Sequence, residues 1–242
     1  MSVAIKVEGL KKKLRMNQAL DGCNMHFSAG SLHGLIGPDG AGKTTLLRHL
    51  VGLLHADSGK ISFSSGGKAA DFKDIRPGMA YMPQTQSLYP DLSISEHMDF
   101  FRDLYRIPED LYQKRRAELL QITRLDKFTD RAAGKLSGGM YKKLGLMCAL
   151  LQSPNVVLLD EPTNGVDPIS RREFWDLLYR MAEQKILIIV ATAYMDEAER
   201  CAEVHLLDRG KTLAEGEPSQ VLKKNHAKSF EEIFLRREGI KA

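Results

Sequence analysis

Nine consecutive residues, Gly37-Pro38-Asp39-Gly40-Ala41-Gly42-Lys43-Thr44-Thr45, could hold a string of phosphates. The pattern is G-x-x-x-x-G-K-[ST]. Its glycines let successive backbone N–H groups turn inward, and a helix starting at the lysine adds its positive end beneath the anion. Lys43 reaches the outer phosphates, and Thr44 offers a hydroxyl to Mg²⁺, which prefers an octahedral set of side-chain, phosphate and water oxygens. Two more segments carry chemistry. Leu136-Ser137-Gly138-Gly139-Met140 is a glycine-rich turn that can open a helix with free N–H donors. Val156-Val157-Leu158-Leu159 is an apolar run that closes on two carboxylates, Asp160 and Glu161.

Positioning these groups calls for alternating strands and helices. Hydrophobic alternation over 3–7 and around Met25-His26-Phe27 predicts an antiparallel β layer, and the apolar run over 32–36 predicts a buried strand feeding directly into the phosphate loop. A helix over 43 to about 54 follows, with Leu46, Leu47, Leu50, Val51 and Leu54 at spacings of three and four, ending at a turn around Asp57-Ser58-Gly59. A strand over 79–82 ends at Pro83-Gln84. The sequence is then helix-rich to about Leu151, punctuated by Pro90, Pro108 and Gly134. Short apolar strands over 156–159 and 186–190, separated by a helix from about Pro168, imply a parallel sheet in an α/β fold.

Composition bounds the answer. A chain of 242 residues with 27% charged and 43% apolar residues is long enough for one large folded α/β domain. The most apolar stretch, over 186–191, is far short of the ~18–20 residues that cross a bilayer. The first residues lack the long apolar core and cleavage site of a signal peptide, so a cytoplasmic address is expected. Cys23, Cys148 and Cys201 form no C-x-x-C pair and leave an odd count, so they read as buried small hydrophobes and not as a disulfide or zinc framework. The net charge of +4 is mild, and Lys11-Lys12-Lys13 with Arg15 reads as a solvated edge, so no nucleic-acid partner is expected.

The order of phosphate loop, Leu-Ser-Gly-Gly and apolar strand closing on Asp-Glu resembles the ATP-binding-cassette ATPases over nearly the whole chain. The tail Ser229-Phe230-Glu231-Glu232-Ile233-Phe234 is similar to that of the ATPase subunits of ABC-2-type exporters. The resemblance implies a P-loop NTPase core of the RecA-like kind: a parallel sheet with an N-terminal antiparallel β layer and an inserted helical subdomain. It implies one nucleotide-binding domain over 1–242, with core and β layer at 1–87 and 152–242 and the helical subdomain at 88–151. The ligands it implies are ATP and Mg²⁺. ATP hydrolysis needs positioning, charge neutralisation and a group to orient and deprotonate water. Asp160 then holds Mg²⁺ with Thr44, and Glu161 is the general base. Gln84 matches the family glutamine that touches Mg²⁺ or water and senses the membrane partner, with Gln86 the lesser candidate. Ser137, Gly138 and Gly139 match the signature that caps the γ-phosphate of an opposite protomer, and Asp167 sits where an interprotomer loop braces the facing phosphate loop. Catalysis on this pattern requires a second cassette, in a homodimer or a heterodimer. A separate permease would receive the work and hold the chain on the inner face of the cell membrane.

Departures from the family pattern matter as much. Met140 replaces the usual glutamine. Thr192-Ala193-Tyr194 lacks the switch histidine, whose loss as a transition-state donor typically costs ~10²–10³ in rate. Tyr194 is not expected to substitute, because consecutive strand residues face opposite ways. Where an aromatic usually stacks on adenine, the sequence offers Leu14 or Arg15. Together with Gly-Pro-Asp-Gly and Ala-Thr-Ala-Tyr-Met, these gaps are similar to N-terminal cassettes of double-cassette exporters and of a ribosome-associated ATPase. Three readings stay open: an ATP-hydrolysing exporter subunit, a slow regulatory nucleotide-binding module, and a ribosome-acting ATPase. Leu88, Tyr89, Leu92, Phe100, Phe101, Leu104 and Tyr105 follow Gln84 at helical spacing; most are expected in the core, and some line the groove that receives the permease.

Overall fold

The computed structural model describes residues 2–85 and 88–239, which places Gln86 outside the described residues. Two sheets form the frame. The antiparallel one has the order β2-β1-β4-β5, from β1 (Val3–Leu14), β2 (Asn17–Phe27), β4 (Ser58–Ser65) and β5 (Lys68–Ala70). Its inward residues alternate as expected, with Val3, Ile5 and Val7 buried between exposed or half-buried neighbours. The alternation breaks after Val7 because the pairing of β1 with β2 shifts register between Val7 and Leu10. The turn expected around Asp57-Ser58-Gly59 is instead the start of β4. Asp57 is held by the Lys12 ammonium at 2.8 Å and the Lys13 N–H at 2.7 Å. Gly59, at φ 91, passes so close to β1 that a Cβ there would lie 2.4 Å from the Gly9 carbonyl oxygen.

The larger sheet runs β10-β9-β3-β8-β7-β6. It comprises β3 (Leu32–Ile36), β6 (Met79–Met82), β7 (Val156–Asp160), β8 (Leu187–Thr192), β9 (Glu203–Asp208) and β10 (Lys211–Gly216). The five strands from β9 to β6 are mutually parallel and only β10 is antiparallel. β3, β7 and β8 are buried at every position, which is why they read as unbroken apolar runs.

Helices cover the sheets. α1 (Lys43–Leu50) stops short of the expected end near 54, because the chain turns at Gly52, φ 74, where a Cβ would strike the Phe72 ring at 2.6 Å. α2 (Phe72–Ile75) is a single turn. α3 (Ile94–Tyr105), α4 (Glu109–Thr123) and α5 (Gly138–Leu150) share a core of their own around Ile94, Met98, Tyr112, Leu120, Leu144 and Met147. α6 (Pro168–Glu183), α7 (Pro218–Lys224) and α8 (Phe230–Arg237) pack on one face of the parallel sheet, while α1 and the antiparallel sheet cover the other. Ser93 and Glu96 form a reciprocal capping box on α3, and at the start of α8 the Ser229 hydroxyl accepts the Glu232 N–H at 3.3 Å. The three cysteines are free and buried, and burial pushes their thiols up to about 11 for Cys23 and about 12 for Cys148 and Cys201. Of the aromatic and leucine residues after Gln84, Tyr89, Phe100 and Leu104 are exposed, whereas Leu88, Phe101 and Tyr105 pack against the helical core. No helix among the described residues is long and apolar enough to cross a membrane.

Candidate functional site

The parallel strands end side by side. Ile36 pairs with Thr192, Ala191 with Asp160, and Leu159 with Met82, so the residues just past the strand ends, Gly37, Ala193 and Glu161 directly and Gln84 after Pro83, line one edge. The phosphate loop leaves β3 here. At Gly37 a Cβ would lie 2.1 Å from the Leu207 carbonyl oxygen; at Gly42, φ 109, it would lie 2.4 Å from that of Ala19. The loop is therefore wedged between β2 and β9, and only glycine fits at both contacts.

Five side chains converge beneath it. Lys43 is almost fully buried, and its Nζ donates to the carbonyls of Gly37 at 2.8 Å and Pro38 at 3.1 Å. The same ammonium lies 3.1 Å from Glu161 Oε1. The Thr44 hydroxyl donates to Asp160 Oδ1 at 3.0 Å, and the Tyr81 hydroxyl to Oδ2 at 3.2 Å. Burial raises the Asp160 carboxyl pKa, with the Thr44 and Tyr81 hydrogen bonds pulling it back. An all-oxygen pair holding a desolvated anion that welcomes positive charge is a donor set that fits Mg²⁺.

Glu161 is buried and holds φ 48, a left-handed conformation that is costly for a residue with a side chain. Its N–H bonds the Ala191 carbonyl at 2.9 Å, which turns the carboxylate away from the strand and into the cleft. Its Oε2 faces the Ala193 N–H at 3.5 Å, so the only donor Ala193 presents there is its backbone. Tyr194 is engaged elsewhere: its hydroxyl meets Asn164 Oδ1 at 3.3 Å, and the Arg171 guanidinium lies 4.1 Å over its ring.

The cleft has a volume of about 610 Å³. It brings the loop residues 39–45 together with Glu161 and with exposed Gln84, whose carbonyl accepts the Lys142 ammonium at 3.3 Å. Leu14 and Met16 form its outer wall. Met16 is 87% exposed. Arg15, one of the two residues the sequence offered for stacking, does not line the cleft; it occupies the hairpin turn at φ 52.

Ser137, Gly138, Gly139 and Asp167 lie outside this cleft. Ser137 and Gly138 are exposed, and the Ser137 hydroxyl accepts the Met140 N–H at 3.3 Å as the cap of α5. Gly139 is buried against α6, where a Cβ would lie 2.5 Å from Ser170. Asp167 caps α6, with Oδ1 accepting the N–H groups of Ile169 at 3.1 Å and Ser170 at 3.0 Å. Those backbone donors, Ser170 foremost, hold its carboxyl below the usual range.

Several participants carried no sequence signal. Tyr81 reads as an ordinary strand residue. Lys142 is a helix lysine whose pKa burial lowers, against the pull of Glu161 and Asp160. Glu197 is fully buried, and its Oε1 accepts the Thr163 hydroxyl at 2.7 Å and the Trp175 indole N–H at 3.1 Å. It thereby ties the turn after Glu161 to the segment after Ala193. Arg209 lines the cleft at φ 47.

Residues 20–164 match the protein-family profile described as ABC transporter. A probable multidrug ABC transporter ATP-binding protein of Escherichia coli K12 is 45% identical over 208 residues, 86% of this chain and 36% of that protein. Nod factor export ATP-binding protein I of Ralstonia nicotianae is 34% identical over 219 residues, 90% of this chain and 68% of that protein. A solved ATP-binding subunit of an ABC transporter superposes with a TM-score of 0.82 at 27% identity, covering 96% of this chain and 98% of that one. The chain spans only 36% and 32% of two of the curated relatives it matches, the Escherichia coli protein and one from Dictyostelium discoideum.

Proposed function

The chain belongs to the ABC transporter family, and on that premise we propose that it binds and hydrolyses ATP as the nucleotide-binding cassette of an exporter. In this reading it pairs with a second cassette and drives a separate membrane permease, which holds it at the inner face of the membrane. The α/β core over 1–87 and 152–242 and the helical insert over 88–151 divide the work between nucleotide and permease. The observation that carries the reading is the convergence of Lys43, Thr44, Asp160 and Glu161 under one glycine-rich loop.

The steps follow from these side chains. Lys43 exchanges its two loop carbonyls and Glu161 for the outer phosphates. Thr44 and Asp160 would hold Mg²⁺, with Gln84 on the cleft wall. An ion bound there would supply neutralisation of the charge on the phosphate oxygens. Glu161, released from Lys43, orients the attacking water and accepts its proton at a carboxylate oxygen. Ser137 and Gly138 present free donors outward, to the γ-phosphate of the facing cassette. Exposed Tyr89, Phe100 and Leu104 offer the permease an apolar footing.

Ala193 favours a second reading, a regulatory cassette that binds ATP and turns it over slowly, because its side chain has no donor for the γ-phosphate. Phosphate release and nucleotide affinity, measured together for the chain and for Lys43→Ala, test the proposal. Loss of ATP binding in the variant is expected. Unchanged affinity would refute the site. Purification from its native cells is expected to bring down a membrane permease; recovery with ribosomes alone would overturn the exporter assignment.

A further inference from the structure

Away from the phosphate cleft, two fully buried histidines face each other from neighbouring strands β3 and β9. His33 Nδ1 lies 3.0 Å from His205 Nε2. The outer nitrogen of each ring is already committed to an acceptor. His33 Nε2 lies 3.1 Å from the Ser28 carbonyl oxygen and 3.2 Å from the Ser28 hydroxyl, whose own proton goes to Glu203 Oε1, so this nitrogen is the donor. His205 Nδ1 lies 3.2 Å from Glu215 Oε2. A neutral imidazole carries a single N–H. With both outer nitrogens donating, the inner nitrogens turn lone pairs toward each other, an arrangement that repels unless a cation lies between them.

A third donor stands beside them. Glu203 Oε2 is 4.0 Å from His33 Nδ1, and its Oε1 is fixed by the Ser28 hydroxyl at 2.8 Å. One ligand atom from each of His33, Glu203 and His205 lies within 4.8 Å of the other two. Acceptors at the outer nitrogens are the arrangement that orients metal-binding histidines and fixes their tautomer.

We infer that His33 Nδ1, His205 Nε2 and Glu203 Oε2 form a binding site for a divalent transition-metal cation of the imidazole-preferring class, Zn²⁺ foremost. Three protein ligands at ~2.0–2.1 Å would need the two nitrogens ~3.3 Å apart, a small opening from their present spacing. Water takes the fourth position from the side of Glu203, whose side chain is 35% exposed. Phe27 packs against both rings, with its ring centroid 4.5 Å from that of His205 and 5.4 Å from that of His33. A bound ion would cross-link the adjacent strands β3 and β9, with Glu215 of β10 behind His205 and Phe27 of β2 packed on both rings. His33 stands about 13 Å of strand from the phosphate loop at ~3.3 Å per residue, so this cation is separate from the one at Thr44.

The test is a Co²⁺ titration of the chelator-stripped full chain without nucleotide. One equivalent is expected to give the visible bands of a four-coordinate ion without thiolate charge transfer, to persist in excess Mg²⁺, and to be displaced by Zn²⁺, which also raises Tm. Glu203→Gln and His205→Asn should abolish stoichiometric binding. Glu215→Gln, which leaves all three ligands in place, should weaken it ~10–100-fold. Because Glu203 and Glu215 are partly exposed, their variants report even if a histidine variant fails to fold. Absence of stoichiometric Co²⁺ binding, or binding untouched by Glu203→Gln and Glu215→Gln, would overturn the site.

Discussion

Replacing Glu161 by glutamine keeps the side chain's shape and removes its charge, which separates the two tasks proposed for it. In the wild type the Lys43 ammonium and the Glu161 carboxylate stand 3.1 Å apart, with side chains 5% and 6% exposed. At an effective dielectric of ~20 their attraction is roughly 5 kcal/mol, most of it offset by removing two charges from water. Lys43 keeps its bonds to the Gly37 and Pro38 carbonyls in the variant, so the folded state loses only ~1–3 kcal/mol. Nucleotide binding no longer has to part an ion pair, and ATP affinity should hold or tighten. Hydrolysis loses its proton acceptor, and turnover should fall ~10²–10⁴-fold. Single-turnover phosphate release with saturating Mg-ATP, alongside nucleotide affinity on the same preparation, measures both. Unchanged turnover would refute the base assignment. Loss of affinity in step with turnover would instead make Glu161 a structural partner of Lys43.

Ala193→His supplies the donor that the loop lacks, and turnover should rise ~10²-fold or more in the same phosphate-release assay. Met16→Trp places an aromatic face on the outer wall of the cleft, where stacking is worth ~1–3 kcal/mol, so fluorescence titration should show ATP binding roughly fivefold tighter or better. Gly139→Ala drives a methyl to 2.5 Å from Ser170. Overpacking of this kind costs ~1–3 kcal/mol, a Tm drop of roughly 3–10 °C by calorimetry, and Ser170→Gly in the same chain should restore most of it.

The parts legible in the sequence were those in which one local rule dominates. Gly37 to Thr45 is recognisable because phosphate binding demands glycine and lysine at fixed offsets. β3, β7 and β8 are recognisable because strands buried on both faces leave no room for polar residues. Legibility failed where tertiary contacts decide. The antiparallel layer is longer than its alternation suggests, since the register shift after Val7 moves side chains to the other face. Helix α1 ends at a packing contact with Phe72 that no local pattern announces. Tyr81 reaches Asp160 across a sheet, and Glu197 reaches Thr163 and Trp175 from distant loops. Their residue types are ordinary, and only the fold gives them partners.

The parallel topology explains why the cleft is one-sided. Strands β3, β8, β7 and β6 point the same way and stand adjacent, so the residues leaving them emerge along a single edge, where phosphate loop, carboxylates and Gln84 meet. The Ser137 turn does not belong to that edge. It opens α5, with its hydroxyl engaged in its own cap and the adjoining glycine exposed. A helix start left facing solvent has unsatisfied N–H groups that a phosphate would fill, and the chain's own phosphate loop is committed to a different surface. Under the proposed function a second cassette resolves both deficits at once, covering this cleft and presenting a phosphate to this turn. At the far end of β3 from the phosphate loop, the His33–His205 seam joins β9 to the same strand that carries the loop. Loosening that seam would shift β9, whose Leu207 carbonyl sets the space available at Gly37. A cation held there would therefore stiffen the wall against which the loop is wedged, without touching the nucleotide.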